Sequence, residues 1–358
     1  MKVFLVENIN GLSHTFIRND YIDQINHGEN FKIIDICDYT FNGNFKFKKL
    51  FNFLIRLIIL FFFNPIILFK LLFNRKFLSN INAIYVFSQL YAIHKNISQF
   101  RIHFISKAAV VGFLYNLFNN ANYCVICHAS DLYSMPNSMN MILIKAFKIE
   151  AVTWFGKGFV FGRIGNHGIG KTILKRNIIS NIITSNPPIK KIDILEILTV
   201  SRLATQKDII FALEILYFLK LNYKINIVYN LIGEGPEFPL IFDTVKKLNL
   251  TDQVFFHGAL QNSEIAVYYE SADLFLLPCA ERDVNDADGL PVVFQESLSL
   301  GCPIFCKDVF GISELIINNI NGYAIPISFS AKDCADLIMR TYKKFNRTLI
   351  KSIAEEQF

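Results

Sequence analysis

ADLFLLPCAERDVNDADGLPVVFQESLSLGCPIF, residues 272–305, carries the fold in one line. An apolar strand, DLFLLPC, runs into an acidic loop, a helix opens at Gly289, Leu290 and Pro291, and a second apolar strand, CPIF, follows directly. Proline suits a first helical turn, where its missing N–H has no partner to lose. Strands apolar on both faces with a helix between them build a parallel sheet covered on both sides. The alternation extends outward. LEILTVS, KINIVYNLIG and DQVFFHG read as strands, and Lys207 to Leu221, Glu237 to Leu248, Asn262 to Ser271 and Pro291 to Leu300 as helices. In the first half MKVFLV, FKIIDI, NAIYVF, RIHFI, NYCVICH and EAVTW read as strands, and TSNPPIKK, with Pro187 and Pro188, breaks the chain between the halves. At 358 residues there is room for two cores. The expectation is α/β, with two doubly wound domains facing each other across a cleft: residues 1–186, residues 187–340, and a C-terminal helix over 341–358 that packs back on the first domain.

Composition narrows the function. Seven cysteines, an odd number scattered through apolar runs, read as buried thiols of a reducing compartment. Met1 leads straight into the strand-like VFLVEN, with neither a basic leader nor a cleavage site, so a cytoplasmic location is expected. The net charge of +6 is unevenly placed: from Thr40 to Ser130 there is no Asp or Glu, while Lys48, Lys49, Arg56, Lys70 and Arg75 all fall there. Nucleic acid and an anionic membrane both suit such a segment. FNFLIRLIILFFFNPIILFKLLF, Phe51 to Phe73, is too greasy for a nucleic-acid arm, which excludes nucleic acid as a partner. Its longest charge-free run, Leu57 to Phe69, is 13 residues and contains Asn64-Pro65, whereas a spanning helix needs about 20. The segment therefore reads as monotopic on the inner face of the cytoplasmic membrane, those five basic residues meeting lipid phosphates. Two buried core helices are the alternative.

Two motifs are decoys. Cys124, Cys127 and His128 spell the haem c attachment pattern, which a cytoplasmic chain has no means to use. GNHGIGKT, Gly165 to Thr172, fits the phosphate-loop pattern but follows a glycine-rich basic stretch that makes a poor central strand. The second half is more coherent. SRLATQKD places Arg202 and Lys207 at a strand's carboxyl end, IGEGPE brings Gly233 and Gly235 to the next, and His257 ends a third. Such loops share one edge of a doubly wound sheet, where these folds bind ligands. Backbone N–H groups at Gly289 and Leu290, opposite Arg202 and Lys207, would form a cationic cradle for a diphosphate. Glu296, two turns into the helix, could accept two hydrogen bonds from vicinal hydroxyls. Asp288 adds a carboxylate just before the helix. Each residue alone reads equally well as surface charge or plain turn, and the order in which they occur is what carries the inference.

In that order (SRLxxxKD, GEGP, FHG, ADLFLLP, DGLPVVFQES, GCPIF, GISELI, NGYAI) the sequence from Leu198 to Ile327 resembles the retaining family 4 glycosyltransferases of the GT-B fold. By that resemblance Arg202 and Lys207 stabilise a leaving diphosphate, and Asp288, Gly289 and Leu290 contact sugar and phosphates. Glu296 holds a ribose, and Gly233, Gly235 and His257 help to line the donor site. Asp288 stands where the family has Glu, and Ser201 where it has Gly. GLSHTFI, with Gly11, resembles the donor-side loop after the first strand, and His14 stands at its usually acidic position. HASDLY resembles the stretch whose histidine, here His128, faces the donor sugar. GNHGIG resembles a loop before the interdomain linker. The resemblance implies a glycosyltransferase moving a sugar from a UDP- or GDP-sugar to a glycan or lipid-linked acceptor, with retention, in surface polysaccharide biosynthesis, without cofactor or metal. A membrane-associated scaffold with a degenerate donor site, or a sugar-nucleotide epimerase on the same fold, are the alternatives.

Overall fold

Val3, Phe4 and Leu5 in β1 (Lys2–Val6) are wholly buried, as an unbroken apolar run requires of a strand covered on both faces. In a computed structural model the chain divides into two compact units, residues 1–178 and 179–358, where the sequence placed the boundary at 186. The structure describes residues 1–7, 15–39, 47–72, 77–128, 130–177, 193–280, 289–309 and 311–358, with backbone alone for 15, 47–50, 77–78 and 130.

The first unit holds β1, β2 (Phe31–Asp35), β3 (Gln99–His103), β4 (Asn122–Cys127), β5 (Lys148–Ala151) and β6 (Thr172–Leu174) in the spatial order β2-β1-β3-β4-β5-β6, every pair parallel. Its helices are α1 (Thr15–Asn26), α2 (Phe47–Phe63), α3 (Pro65–Leu72), α4 (Phe77–Ile93), α5 (Lys107–Asn119), α6 (Ser130–Tyr133), α7 (Asn140–Lys145) and α8 (Trp154–Ile164). The second unit holds β7 (Ile194–Val200), β8 (Asn226–Ile232), β9 (Val254–Gly258), β10 (Leu274–Leu276), β11 (Ile304–Lys307) and β12 (Gly322–Ile325), ordered β12-β11-β10-β7-β8-β9 and again all parallel. Around them lie α9 (Ile209–Tyr223), α10 (Phe238–Lys247), α11 (Asn262–Ser271), α12 (Val292–Ser299), α13 (Ala331–Thr341) and α14 (Arg347–Gln357). Strand order reverses beside β1 in one sheet and beside β7 in the other. Reversal points of this kind open a crevice at the carboxyl ends of the strands.

Three readings change. NAIYVF is not a strand: it lies inside α4, whose 17 residues contain neither Gly nor Pro, and a short apolar run does not by itself distinguish a strand from a buried helix. Phe87, in that run, packs its ring 5.2 Å from Tyr115 and 5.1 Å from Phe118 of α5. The sixth strand is instead β6, which begins at Thr172, the last residue of the phosphate-loop match. The last helix sits in the second unit, where Arg347 of α14 donates to the carbonyls of Ala272 and Tyr269, both at 2.6 Å. Gly301, at φ 75°, lets this happen, since a Cβ there would lie 2.7 Å from the Arg347 carbonyl.

Candidate active site

The first unit carries a buried ionic cluster beside its reversal point. Arg101 and His103 are two apart in β3 and so share a face. Arg101 Nε and Nη2 donate to the two carboxylate oxygens of Asp20 on α1, at 2.7 and 2.9 Å, and Nη1 and Nη2 donate to Glu150 on β5, at 3.2 and 2.6 Å. Lys148 lies 2.9 Å from Glu150. Burial would raise the Asp20 carboxyl, but the bonds from His103 and Arg101 outweigh it and hold Asp20 well below the usual carboxylate range. His103, itself buried, has Nε2 2.8 Å from Asp20 Oδ2 and Nδ1 3.1 Å from His128 Nε2. Phe104 and Phe16 pack on the His128 ring with centroids at 4.3 and 5.0 Å. Asp131 joins the loops after β3 and β4, accepting from the Ile105 N–H at 2.7 Å and the His128 N–H at 3.1 Å.

The decoys resolve physically. Cys124 and Cys127 are buried in β4; burial pushes the Cys124 thiol up to about 12 and Cys127 well above its ordinary value. Lys171, the lysine of GNHGIGKT, donates to the carbonyls of Leu143, Ile144 and Ala146 at 2.9, 2.6 and 3.2 Å. It caps the end of α7, a use suited to a cation at a helix C-terminus.

In the second unit the loops after β7, β8, β9 and β10 are laced together by backbone hydrogen bonds. Leu203 N–H donates to Glu234 at 2.9 Å, Glu237 N–H to Leu203 at 3.0 Å, and Gly233 N–H to Gly258 at 2.7 Å. A Cβ on Gly233, which has φ 131°, would fall 1.8 Å from the Ser201 carbonyl, and one on Gly235 would fall 2.3 Å from that of Leu203. These glycines thus permit the loops to lie edge to edge. The loop after β10 joins them, with Cys279 and Ala280 N–H donating to Lys207 and Gln206 at 3.3 and 2.9 Å. Asp208, at φ 54°, places its carboxylate 2.7 Å from Lys307 Nζ, closing SRLATQKD against β11. Arg202 is exposed at this edge and makes no ion pair among the described residues. Ser201 Oγ is buried and has no hydrogen-bond partner among them.

Residues 186–351 match the family described as glycosyl transferases group 1. The match to that family lies almost wholly in the second unit. Over 132 residues the chain is 33% identical to the amylovoran biosynthesis glycosyltransferase AmsK of Erwinia amylovora, covering 37% of this chain and 32% of that protein. The match thus spans about a third of that relative's length. Two solved structures cover nearly the whole chain. The glycosyltransferase from Rickettsia africae ESF-5 is similar at TM-score 0.66 and 17% identity, covering 99% of this chain and 91% of that one. Anabaena Alr3699/HepE in complex with UDP is similar at TM-score 0.66 and 13% identity, covering 100% and 95%. The fold class is GT-B.

Within the second unit Glu296 is not a surface residue. It is 8% exposed, and its Oε2 accepts from Tyr269 at 3.1 Å. Burial raises its pKa, and the Tyr269 bond offsets this only in part. Leu290 is also buried, and Gly289 partly so. His257 spends both ring nitrogens inside the domain: Nε2 lies 2.8 Å from Asn230 Oδ1 and Nδ1 lies 3.3 Å from the Tyr268 hydroxyl, with burial holding its pKa down. Asp288 and Gly11 lie outside the described residues, as do Arg75 and His14.

The basic segment divides. Arg56 is half-buried, its guanidinium 4.4 Å from the Tyr91 ring and 5.8 Å from that of Phe118, so it helps to dock α2. Lys70 is exposed; of Lys48 and Lys49 only the helical backbone is described. Phe61, Phe62, Phe63, Ile66 and Phe69 are 59 to 78% exposed around a 119° bend between α2 and α3. No single described helix is long and apolar enough to cross a membrane.

Tyr269, Asp20 and Glu150 escaped the sequence reading. One signal existed for the first-unit cluster: Arg101 and His103 at strand period in an otherwise apolar run.

Proposed function

We propose that this protein is a glycosyltransferase that moves a sugar from a UDP- or GDP-sugar to a glycan acceptor carried on a lipid, with retention, in surface polysaccharide biosynthesis at the inner face of the cytoplasmic membrane. The observation that carries the reading is the group of interlaced loops around the β7 reversal point, with the Arg202 cation exposed among them in a group 1 glycosyltransferase domain. Arg202 and Lys207 would neutralise the donor diphosphate as charge develops on it. The first N–H groups of α12, which have no partner within their own helix, would bind the same phosphates. With the leaving phosphate so held, the sugar–phosphate C–O bond breaks as the acceptor oxygen bonds to the same carbon from the same face, passing its proton to the departing phosphate oxygen, which retains configuration. Glu296 would take the ribose hydroxyls, and His128 a hydroxyl of the donor sugar. Support comes also from the Anabaena neighbour, which was solved with UDP, and from the Erwinia relative, named for polysaccharide biosynthesis. For the membrane, support is the exposed apolar bend of α2 and α3 with Lys70 at its rim, inside a stretch of 91 residues that lacks Asp and Glu.

A thermal-shift screen over UDP, GDP, ADP, CMP and their sugars should show one nucleotide family raising the melting temperature, since a ligand bound only by the folded state stabilises it. Arg202→Ala should leave the unliganded melting temperature in place, because the residue is exposed, and lower transfer efficiency about tenfold to a hundredfold, the scale of one charge-assisted hydrogen bond. A chain stabilised by none of these nucleotides, or an Arg202→Ala variant at the parent rate, would overturn the donor site.

A further inference from the structure

We infer that His103 is a positioning residue: through the hydrogen-bonded chain Asp20, His103, His128 it holds His128 with a proton on Nε2. This rests on the reading of His128 as a contact to the donor sugar. Asp20 is fixed as a carboxylate by two bonds from Arg101, at 2.7 and 2.9 Å, and a carboxylate can only accept. The proton between Asp20 Oδ2 and His103 Nε2, 2.8 Å apart, therefore belongs to the histidine. His103 is buried and shares Asp20 with the Arg101 guanidinium, which already neutralises that carboxylate, so a second buried cation there would be uncompensated and the ring carries a single N–H. With that N–H given to Asp20, Nδ1 of His103 must accept. The proton in the 3.1 Å contact to His128 accordingly sits on His128 Nε2. Phe16 and Phe104, packed on the same ring, keep it from turning over. What emerges is a directional chain. Its charge originates on Arg101 and Asp20, inside the unit, and its output is a proton fixed on His128 Nε2 and a ring held in one orientation. The nitrogen on which a histidine carries its proton is commonly set by the bond its other nitrogen makes, and here that bond is itself set one residue further back.

The test is nitrogen NMR of the intact protein labelled with ¹⁵N in its histidines, together with a double-mutant cycle. In the parent, His128 should appear as the Nε2–H form with an exchange-protected proton. In His103→Phe that protection should vanish and both tautomers should be populated, while the melting temperature reports whether the fold survives. With UDP-glucose, UDP-galactose and GDP-mannose as probes, read as nucleotide release from whichever is turned over, His103→Phe should lower kcat/KM about tenfold. In a His128→Ala background the same substitution should change it less than about twofold, because His103 acts through His128. A parent His128 carrying its proton on Nδ1 would overturn the proposal, even if His103→Phe did not fold. So would additive losses in the cycle. Parent-rate turnover by His128→Ala combined with the expected spectrum would instead remove the donor-sugar reading and leave the chain of protons standing.

Discussion

Glu296 shows how a candidate site residue can be legible by type and position while its surroundings are not. Its distance from Pro291 along a helix was legible, and so was a carboxylate two turns in. The partner was not, because Tyr269 is 27 residues away on α11 and no local pattern links the two. With its pKa raised by burial, the folded state binds more protons here than the unfolded chain does between the ordinary carboxylate value and the raised one. Stability from the neutral carboxyl is therefore present at acid pH and lost as pH rises through that window. Glu296→Gln is neutral throughout and keeps an acceptor for Tyr269, so its urea midpoint should stay flatter than the parent's as pH rises above the ordinary carboxylate range. Transfer should fall about tenfold to a hundredfold with the fold retained. Glu296→Ala is the poorer probe, since it leaves a buried tyrosine hydroxyl unsatisfied at a cost of about 1–3 kcal/mol. A glutamine variant at the parent rate would detach Glu296 from the donor site. Arg202 and Lys207 needed no such partner to be recognised, since their place at a strand end is a local property of the sequence.

Helices α2 to α4 are where element-scale reading had most difficulty. All are apolar, and two fates exist for apolar helices, core or interface. The structure divides them: α4 buries Phe87 against α5, whereas α2 and α3 present phenylalanines at their bend. Pro65 was legible as a break because proline is tolerated at a helix's first position and disrupts its interior. The ring contacts of Arg56 were not legible, since its aromatic partners are 35 and 62 residues downstream. The two roles can be separated in a flotation assay with anionic vesicles. Phe62→Glu with Phe63→Glu should release the protein at unchanged melting temperature, because both rings are already exposed. Arg56→Ala should do the reverse, keeping lipid binding while lowering stability by about 0.5–2 kcal/mol, the scale of cation–π contacts. High salt should weaken the parent's flotation, exposed charges being screened beyond about 8 Å at physiological ionic strength. A parent chain that stays in the pellet at low salt, or an Arg56→Ala variant that is stable but no longer floats, would contradict this assignment.

At the scale of the whole chain, alternation of strands and helices was enough to read two parallel sheets, because buried parallel strands are apolar throughout and their crossovers must be helical. Strand order was not readable. It depends on which neighbour each crossover reaches, and the two units differ, reversing beside their first strands with one strand outward in the first sheet and two in the second. From those reversals follows a division of labour that hydrogen exchange can test on the intact protein. Exchange slows where a ligand holds backbone amides or closes local openings. The nucleotide selected by thermal shift should protect the loops over 201–208, 233–237 and 277–280 and the start of α12, since these are bonded to one another around β7. Anionic vesicles should protect α2 and α3 over 51–72 and leave those loops at their parent rates. On the proposed function the footprints are expected to be disjoint in sequence, because a donor would meet backbone and basic groups of the second sheet, and a membrane the apolar bend inserted between β2 and β3 of the first. Nucleotide protection confined to 51–72, or none in the four second-unit segments at saturating concentration, would show that the β7 reversal point is not where the donor binds.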